Sequence, residues 1–403
     1  MIFRGWVPLK IFMPTILHIC YPVKLYGAEQ SLLLLVEGLA RKGYCSVVVV
    51  PHSGPLVERL EALNVPVVYV PLRPWLTNYH TGIKRKLYNL YHLPFLFRAT
   101  VTLVKIIRHY QVDLVHTVNS VVFDGALAAA VAGVPHVWHI REALDPSGFL
   151  KFSFGFKLAR TLIKLFSRRV IVISNAIGRF YLNTSSDANK IRVVYNAIDL
   201  SLYDDDPNPR DIRQMLKIPA TAKVVGLVGQ MRPWKRHEDF LRAGVIVKQS
   251  VSDVFFLVVG GDFDASEEYA QKIRMLSSDL GLAEQIAWLG FYDRIGQVFK
   301  AMDLFVLPSE TEAFGRVIIE AMALSKPVVA TTVGGIPEIV VDSVTGLLVP
   351  PRSPEKLAEA IIKILKDPLL AAAMGQAGRQ RVEQNFTVEK YIDNVIAVYQ
   401  ELL

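Results

Sequence analysis

Short apolar runs alternate with longer segments of helical period along the whole chain. Runs of strand length occur from Thr15 to Tyr21 and at 45–51, 65–71, 112–117, 135–140, 169–174 and 191–196. Between them apolar residues recur at helical spacing, as in EQSLLLLVEGLARKG, which Gly43 closes as a helix stop. After Asn196 the pattern lapses. SLYDDDPNPRDIRQMLKIP is polar, carries prolines and has no period, so 202–215 reads as a linker. A second alternating series starts at KVVGLVG (223–229) and runs through VFFLVVGGD, IAWLGF, MDLFVLPSE, KPVVATTV and TGLLVP. Near-continuous apolar strands separated by helices are the pattern of parallel sheets covered on both faces. The fold class expected is therefore α/β, with two Rossmann-like parallel-sheet domains at 1–201 and 216–385 facing an interdomain cleft. A final helix at 386–403 is expected to pack back on the first domain. With 403 residues the chain is too long for one ordinary core, which fits this division.

Composition adds a constraint and charge adds a direction. No uncharged apolar run reaches the ~18 residues of a membrane-spanning helix. The opening stretch is broken by Arg4, Pro8, Lys10 and Pro14, and reads as a short extension rather than a signal peptide. Two cysteines, Cys20 and Cys45, lie in strand-like apolar runs, which points to a reducing compartment and a cytoplasmic protein. Residues 1–201 hold 23 Lys+Arg against 10 Asp+Glu, a net of +13; the remainder holds 22 against 27, a net of −5. Within the first half, 62–112 and 146–186 each carry seven Lys/Arg and no carboxylate. Such one-signed segments call for an anionic partner. Aromatic and aliphatic residues are interleaved with the charge in 83–109 and 148–169, and no nucleic-acid reading motif accompanies them. An anionic membrane surface, bound peripherally from the cytoplasmic side, is the partner expected, and no nucleic acid.

The motif richest in chemistry is PSETEAFGRVIIEAMALSKPVVAT, residues 308–331. A strand ends in a loop and a helix begins near Phe314. Glu312 and Glu320 stand eight positions apart, which in a helix brings two carboxylates within ~80° of one face. Amides around Ala313 to Gly315 would make the helix start an anion site, and Gly315 permits close backbone approach. Glu320 lies in VIIEAMA, whose flanks read as buried, and a buried carboxylate needs partners.

This run resembles the Glu, seven residues, Glu signature of the family 4 glycosyltransferases, with its E-x-F-G core and E-A-M-A ending intact. The resemblance extends in order over essentially the whole chain. PVKLYGAEQSL resembles the G-G-x-E turn, with Tyr26 in place of the first glycine. HTVN (116–119) and NAID (196–199) resemble H-T-H-N and N-G-V-D, and VGGIPE (333–338) matches a further loop without change. VGQMRPWKRHEDF (228–240) resembles the G-R-L-x-x-x-K-G loop, with Gln230 where the family has arginine.

The resemblance implies a two-domain GT-B architecture in which the first domain binds acceptor and the second binds a nucleotide-diphosphate sugar. Glu320 would hold the ribose hydroxyls, Glu312 would reach the donor sugar, and Lys235 would neutralise the leaving β-phosphate. Gly27, Gln230, Phe314, Gly315, Gly334 and Gly335 complete the implied donor contacts. His139 falls where related enzymes carry a histidine beside the reacting sugar carbon. His116, Asn119, Arg141 and Glu142 are the acceptor-side candidates, His116 being equally readable as a core imidazole. No cofactor and no metal are implied: the acidic run Asp204–Asp206 lies in the linker, and amides and cations hold the diphosphate.

The implied reaction is transfer of a hexosyl group, with UDP-sugar as favoured donor and anomeric configuration retained. The acceptor would be a hydroxyl of a lipid-linked or polysaccharide-type molecule at the membrane surface. A nucleotide-sugar epimerase or hydrolase on the same scaffold, or a non-catalytic sugar-nucleotide-binding subunit, are the alternatives. A dinucleotide-dependent oxidoreductase needs G-x-G-x-x-G after a strand, and neither ICYPVKLYGAEQ nor VGQMRPWK supplies it.

Overall fold

The computed structural model describes residues 13–21, 27–77, 83–142, 151–181, 189–204, 212–261 and 267–403. The opening extension 1–12, Tyr26, residues 148–150 of the second basic segment, Asp205 and Asp206 lie outside the described residues, as do the side chains of 83–93. The chain divides into two compact units, one from its start to Asn196 together with Val388–Leu403, the other Ala197–Thr387.

The first unit carries β1 (Thr15–Ile19), β2 (Cys45–Val50), β3 (Val67–Tyr69), β4 (Leu76–Thr77), β5 (Leu114–Thr117), β6 (His136–Ile140), β7 (Lys151–Phe152), β8 (Arg169–Val172) and β9 (Ile191–Val193). Seven of these form a parallel sheet in the order β3-β2-β1-β5-β6-β8-β9. The pair β4 and β7 is a short antiparallel ribbon that the apolar pattern does not announce. The second unit carries β10 (Lys223–Val228), β11 (Val254–Val259), β12 (Ile286–Gly290), β13 (Leu304–Leu307), β14 (Val328–Thr331) and β15 (Leu347–Val349), all parallel in the order β12-β11-β10-β13-β14-β15. Each expected strand run therefore holds a strand. The architecture is two Rossmann-like parallel-sheet units.

The strand sequences explain this arrangement. LFVL in β13 and VVAT in β14 are buried at every position, since helices cover both faces of the sheet. In each sheet the winding reverses at the first strand, so β1 lies between β2 and β5, and β10 between β11 and β13. Loops that leave such a switch point diverge and open a crevice at the strand carboxyl ends.

The expected linker is corrected. The division falls after Asn196, and the described part of 202–215 is anchored in the second unit. Helices Ser201–Asp204 and Ile212–Met215 form there, with Tyr203 and Ile212 buried. Arg213 bonds Asp303 at 2.6 Å and the carbonyls of Ala301 and Ala222. Two buried residues in a polar stretch are too few to show a period. Among the described residues, no helix is long and apolar enough to cross a membrane.

Candidate active site

In the second unit the loops after β10, β13 and β14 leave three adjacent strands. The first carries Lys235 at the end of a single 3-10 turn, Pro233–Lys235. The second carries Glu312. The Lys235 ammonium donates to the Glu312 carboxylate, and both side chains are largely buried, 17% and 15% exposed. The loops are also stitched through their backbones, since Glu310 N–H donates to the Trp234 carbonyl at 2.8 Å. The loop after β14 grips Glu312 from the other side. Gly335 N–H donates to the Glu312 carbonyl at 3.1 Å, and a Cβ on Gly334 would stand 1.7 Å from that same oxygen. Gly334 also has φ +52°, so glycine is required there twice over, by conformation and by contact.

The helix after β13 spans Arg316–Ala323, starting two residues later than expected. Its N-cap is Gly315 at φ +99°, and no side chain among the described residues caps it. Glu312 therefore lies in the loop, outside the helix, and the shared-face expectation for Glu312 and Glu320 does not apply. Their carboxylates go to different partners. Glu320 accepts from Arg316 Nε at 3.1 Å, one turn earlier, and from the Tyr203 hydroxyl. Burial raises the Glu320 pKa, and Arg316 and Tyr203 pull it back. Phe314 is buried against Phe386, ring centroids 5.9 Å apart, so its side chain belongs to the core. Gln230 is exposed directly beyond β10, while Arg232 places its guanidinium 5.9 Å from the Trp234 ring centroid.

Tyr203 is the residue that sequence reasoning missed. Its hydroxyl pKa is pushed up, first by burial and then by the Glu320 charge. The turn that bears it is held by Arg379, which bonds both carboxylate oxygens of Asp204 at 2.7 and 2.9 Å. Arg379 also donates to the Ala323 carbonyl at 2.6 Å, closing the far end of helix Arg316–Ala323. Asp204 thus serves as an ion-pair partner, its pKa lowered by Arg379. Among the described residues no group of three His, Cys, Asp or Glu could hold a metal ion.

In the first unit Gly27 opens the helix Gly27–Arg41 after β1, exposed, and a Cβ there would meet nothing within 4 Å. The remaining candidates lie deeper than expected. His139 on β6 and His116 on β5 have no exposed surface. Their rings stack at 5.4 Å, and His18 on β1 continues the row at 5.3 Å from His116. Tyr399 hydrogen-bonds His116 Nδ1 at 2.7 Å. Arg141 donates to Asn196 at 2.6 Å, to Tyr391 at 2.8 Å and to His139 Nδ1 at 3.3 Å. Burial first, then the Arg141 charge, lowers the His139 pKa and keeps the ring neutral. Asn119 uses its amide on the Tyr21 carbonyl and the Val121 N–H. Glu142 accepts from Ser120 N–H and Oγ at 3.2 and 3.0 Å.

Sequence reading makes His139 a catalytic group and His116, Asn119 and Arg141 acceptor contacts; in this unit their side chains are held by these internal contacts instead of standing open at the strand ends. All four are interior residues, and Tyr391 and Tyr399, which bond Arg141 and His116, come from the last helix of the chain. Alternation explains the burial: His139 is one residue short of the strand end, and its side chain turns under that helix. Gly27, Asn119 and Glu142 still follow β1, β5 and β6, the strands of this unit's own switch point.

The family model described as glycosyl transferases group 1 matches residues 208–381, and that described as glycosyltransferase family 4 matches 26–202. The D-inositol 3-phosphate glycosyltransferase of Rhodococcus opacus is 34% identical over 232 residues, 56% of this chain and 51% of that protein. The N-acetyl-alpha-D-glucosaminyl L-malate synthase of Bacillus anthracis is 32% identical over 238 residues, 57% of this chain and 60% of that one. The chain thus spans between half and two thirds of these curated relatives. Among solved structures, Anabaena HepE in complex with UDP and glucose is similar with a TM-score of 0.81 and 27% identity, over 96% of this chain and 100% of that chain.

Proposed function

The chain belongs to the family 4 glycosyltransferases of group 1, and on that premise we propose that it transfers a hexosyl group from a nucleotide-diphosphate sugar to a hydroxyl acceptor, with retention of configuration. The observation that carries this reading is the Lys235–Glu312 pair, held where three strand-end loops meet beside the glycine-built start of helix Arg316–Ala323. Cleavage of the anomeric bond develops negative charge on the β-phosphate and positive charge on the sugar ring. Lys235 stabilises the first and the carboxylate of Glu312 orients the second, while the helix start receives the diphosphate. Glu320 accepts the ribose hydroxyls. The departing phosphate takes the acceptor proton on the same face, so no separate nucleophile or base is assigned.

UDP-sugar is the favoured donor, supported by the likeness to a structure containing UDP and glucose. The acceptor is a lipid-linked or glycan hydroxyl at the cytoplasmic membrane surface, supported by a net +13 over residues 1–201 against −5 over the rest. The test is a thermal-shift panel of UDP-, GDP- and ADP-sugars, followed by NMR of the product anomer with and without acceptor. A nucleotide sugar at 100 times its dissociation constant stabilises by ~2.7 kcal/mol, and a UDP-sugar is expected to do so. An inverted product, or sugar release unaffected by any acceptor, overturns the proposal.

A further inference from the structure

Three helices of the first unit, Ile83–His109, Asp124–Ala132 and Phe156–Phe166, pack side by side, the first on the second and the second on the third. Their inner faces build the core: Leu103 and Ile107 join Leu17 and Ile19 in one cluster, and Ala159 and Ile163 are buried. Their outer faces are unusual. Phe97 is 71% exposed, Leu165 70% and Val131 59%, with Leu158 and Val101 each at least 40% exposed, as is Phe154 in the turn before the third helix. Large apolar side chains scattered singly are ordinary, but a neighbouring set of them marks a contact surface.

The stretch of chain that carries this set is strongly basic. From residue 62 to 186 the chain has 15 Lys/Arg and only four carboxylates, Asp113, Asp124, Glu142 and Asp145. Asp124 is buried, with its pKa raised to about 7 by that burial; Asp113 accepts the Thr15 N–H, and Glu142 is taken by Ser120. Helix Phe156–Phe166 shows the finer pattern. At ~100° per residue its buried side centres between Ala159 and Ile163, and the outward half divides lengthwise. Lys157, Arg160 and Lys164 form one flank; Leu158, Leu162 and Leu165 form the other. A solvated basic face would not carry the leucine flank. An ordinary protein-packing face would not carry the cations.

We propose that this three-helix face docks on an anionic lipid bilayer, with the lysine–arginine flank of Phe156–Phe166 among the headgroups and Phe154, Leu158, Leu165 and Phe97 at the acyl boundary. Charge complementarity selects the occupant: headgroup phosphates match the cations, and only a lipid surface also accepts the leucines beside them. The inference deepens the reading that the acceptor lies at a membrane and rests on it for its purpose, but surface binding is measured without donor or acceptor.

The experiment is co-sedimentation of the full chain with vesicles of phosphatidylcholine alone or mixed with phosphatidylglycerol, across a salt series. Preferential, salt-sensitive binding to the mixed vesicles is expected. Lys157→Gln with Arg160→Gln should weaken it by about 30-fold, at ~1 kcal/mol per cation near the surface. Leu158→Ser with Leu165→Ser should weaken it by roughly tenfold or more, with the first unit's calorimetric melting unchanged as the check on folding. Equal binding to both vesicles, or none at low salt, overturns the proposal. So does binding to double-stranded DNA as tight as to vesicles with the leucine variant unaffected, which marks a polyanion site instead. Failed vesicle binding with intact sugar transfer sinks the docking face alone, whereas absent transfer with intact vesicle binding sinks only the assigned reaction.

Discussion

Glu320 sits between buried Ile319 and Ala321, yet the proposed function needs it ionised to accept ribose hydroxyls. Burial raises its pKa, and Arg316 and Tyr203 oppose the rise. Two consequences run in opposite senses. The native state holds the Glu320 proton more tightly than the unfolded chain, so this group's contribution to stability falls as pH climbs from its ordinary ~4.3 through the raised value. Donor affinity instead rises over that window, because only the carboxylate is a full acceptor. Nucleotide-sugar affinity should therefore weaken on acidification at a pH above the ordinary carboxylate range, and Glu320→Gln should flatten the profile. Tyr203→Phe removes a hydrogen bond to a charged group, worth ~1.5–3 kcal/mol, and should move the midpoint up. Calorimetric titration of donor across pH reads both, and an unmoved midpoint in Tyr203→Phe removes that residue from the site. Lys235→Ala should lower turnover by ~10²-fold, through loss of the cation on the leaving phosphate. Turnover equal to wild type in saturating donor would show that Lys235 only balances Glu312.

At the scale of elements, the loop after β14 holds the loop after β13 in place. Gly334→Ala adds a Cβ against the Glu312 carbonyl in a left-handed conformation that costs a non-glycine residue ~1–2 kcal/mol. Either the β14 loop or Glu312 must move, so turnover should fall by at least about tenfold, a barrier change of ~1.4 kcal/mol. Gly27→Ala is the contrast, because the chain itself leaves that position open and helical. Its melting temperature should hold or rise, as alanine in a helix gains ~0.5–1 kcal/mol over glycine. A drop in kcat/KM without a drop in stability is the expected signature of amides that face donor phosphate; unchanged kcat/KM removes Gly27 from the site. Much of this was legible beforehand. The strands announce themselves as apolar runs rich in β-branched residues, and Glu312, Lys235 and Gly334 are legible as candidates because all three sit where such runs stop. Tyr203 was hidden because one buried aromatic in a polar, proline-bearing stretch leaves no period. The burial of His139 and His116 is not legible locally because their cover comes from far along the chain, Tyr399 lying 283 residues from His116.

At the scale of the whole molecule, the chain leaves its first unit at Asn196, completes the second, and returns at Val388 to finish the first. The returning helix, Val388–Gln400, is integral to that unit. Gly38 on the helix Gly27–Arg41 has no room for a Cβ, which would strike the Ile392 side chain. Tyr391, Ile392, Val395 and Tyr399 are buried, and beyond them Glu401 receives Arg169 at 2.5 Å and Arg192 at 2.7 Å. Four such side chains at ~1.5–3 kcal/mol each amount to roughly 6–12 kcal/mol, which rivals the ~5–15 kcal/mol that holds a whole domain together. Their loss would also open Arg141 and His116 without their tyrosine partners, adding unpaired buried polar groups. The second unit loses nothing comparable, since its sheet and the Lys235–Glu312 pair lie wholly within Ala197–Thr387. Truncation after Thr387 should therefore abolish the first unit's cooperative melting while the second still melts cooperatively and is still stabilised by UDP. Scanning calorimetry with and without UDP checks this directly. A truncated chain that keeps the full-length unfolding enthalpy would show that the last helix decorates the first unit rather than completing it.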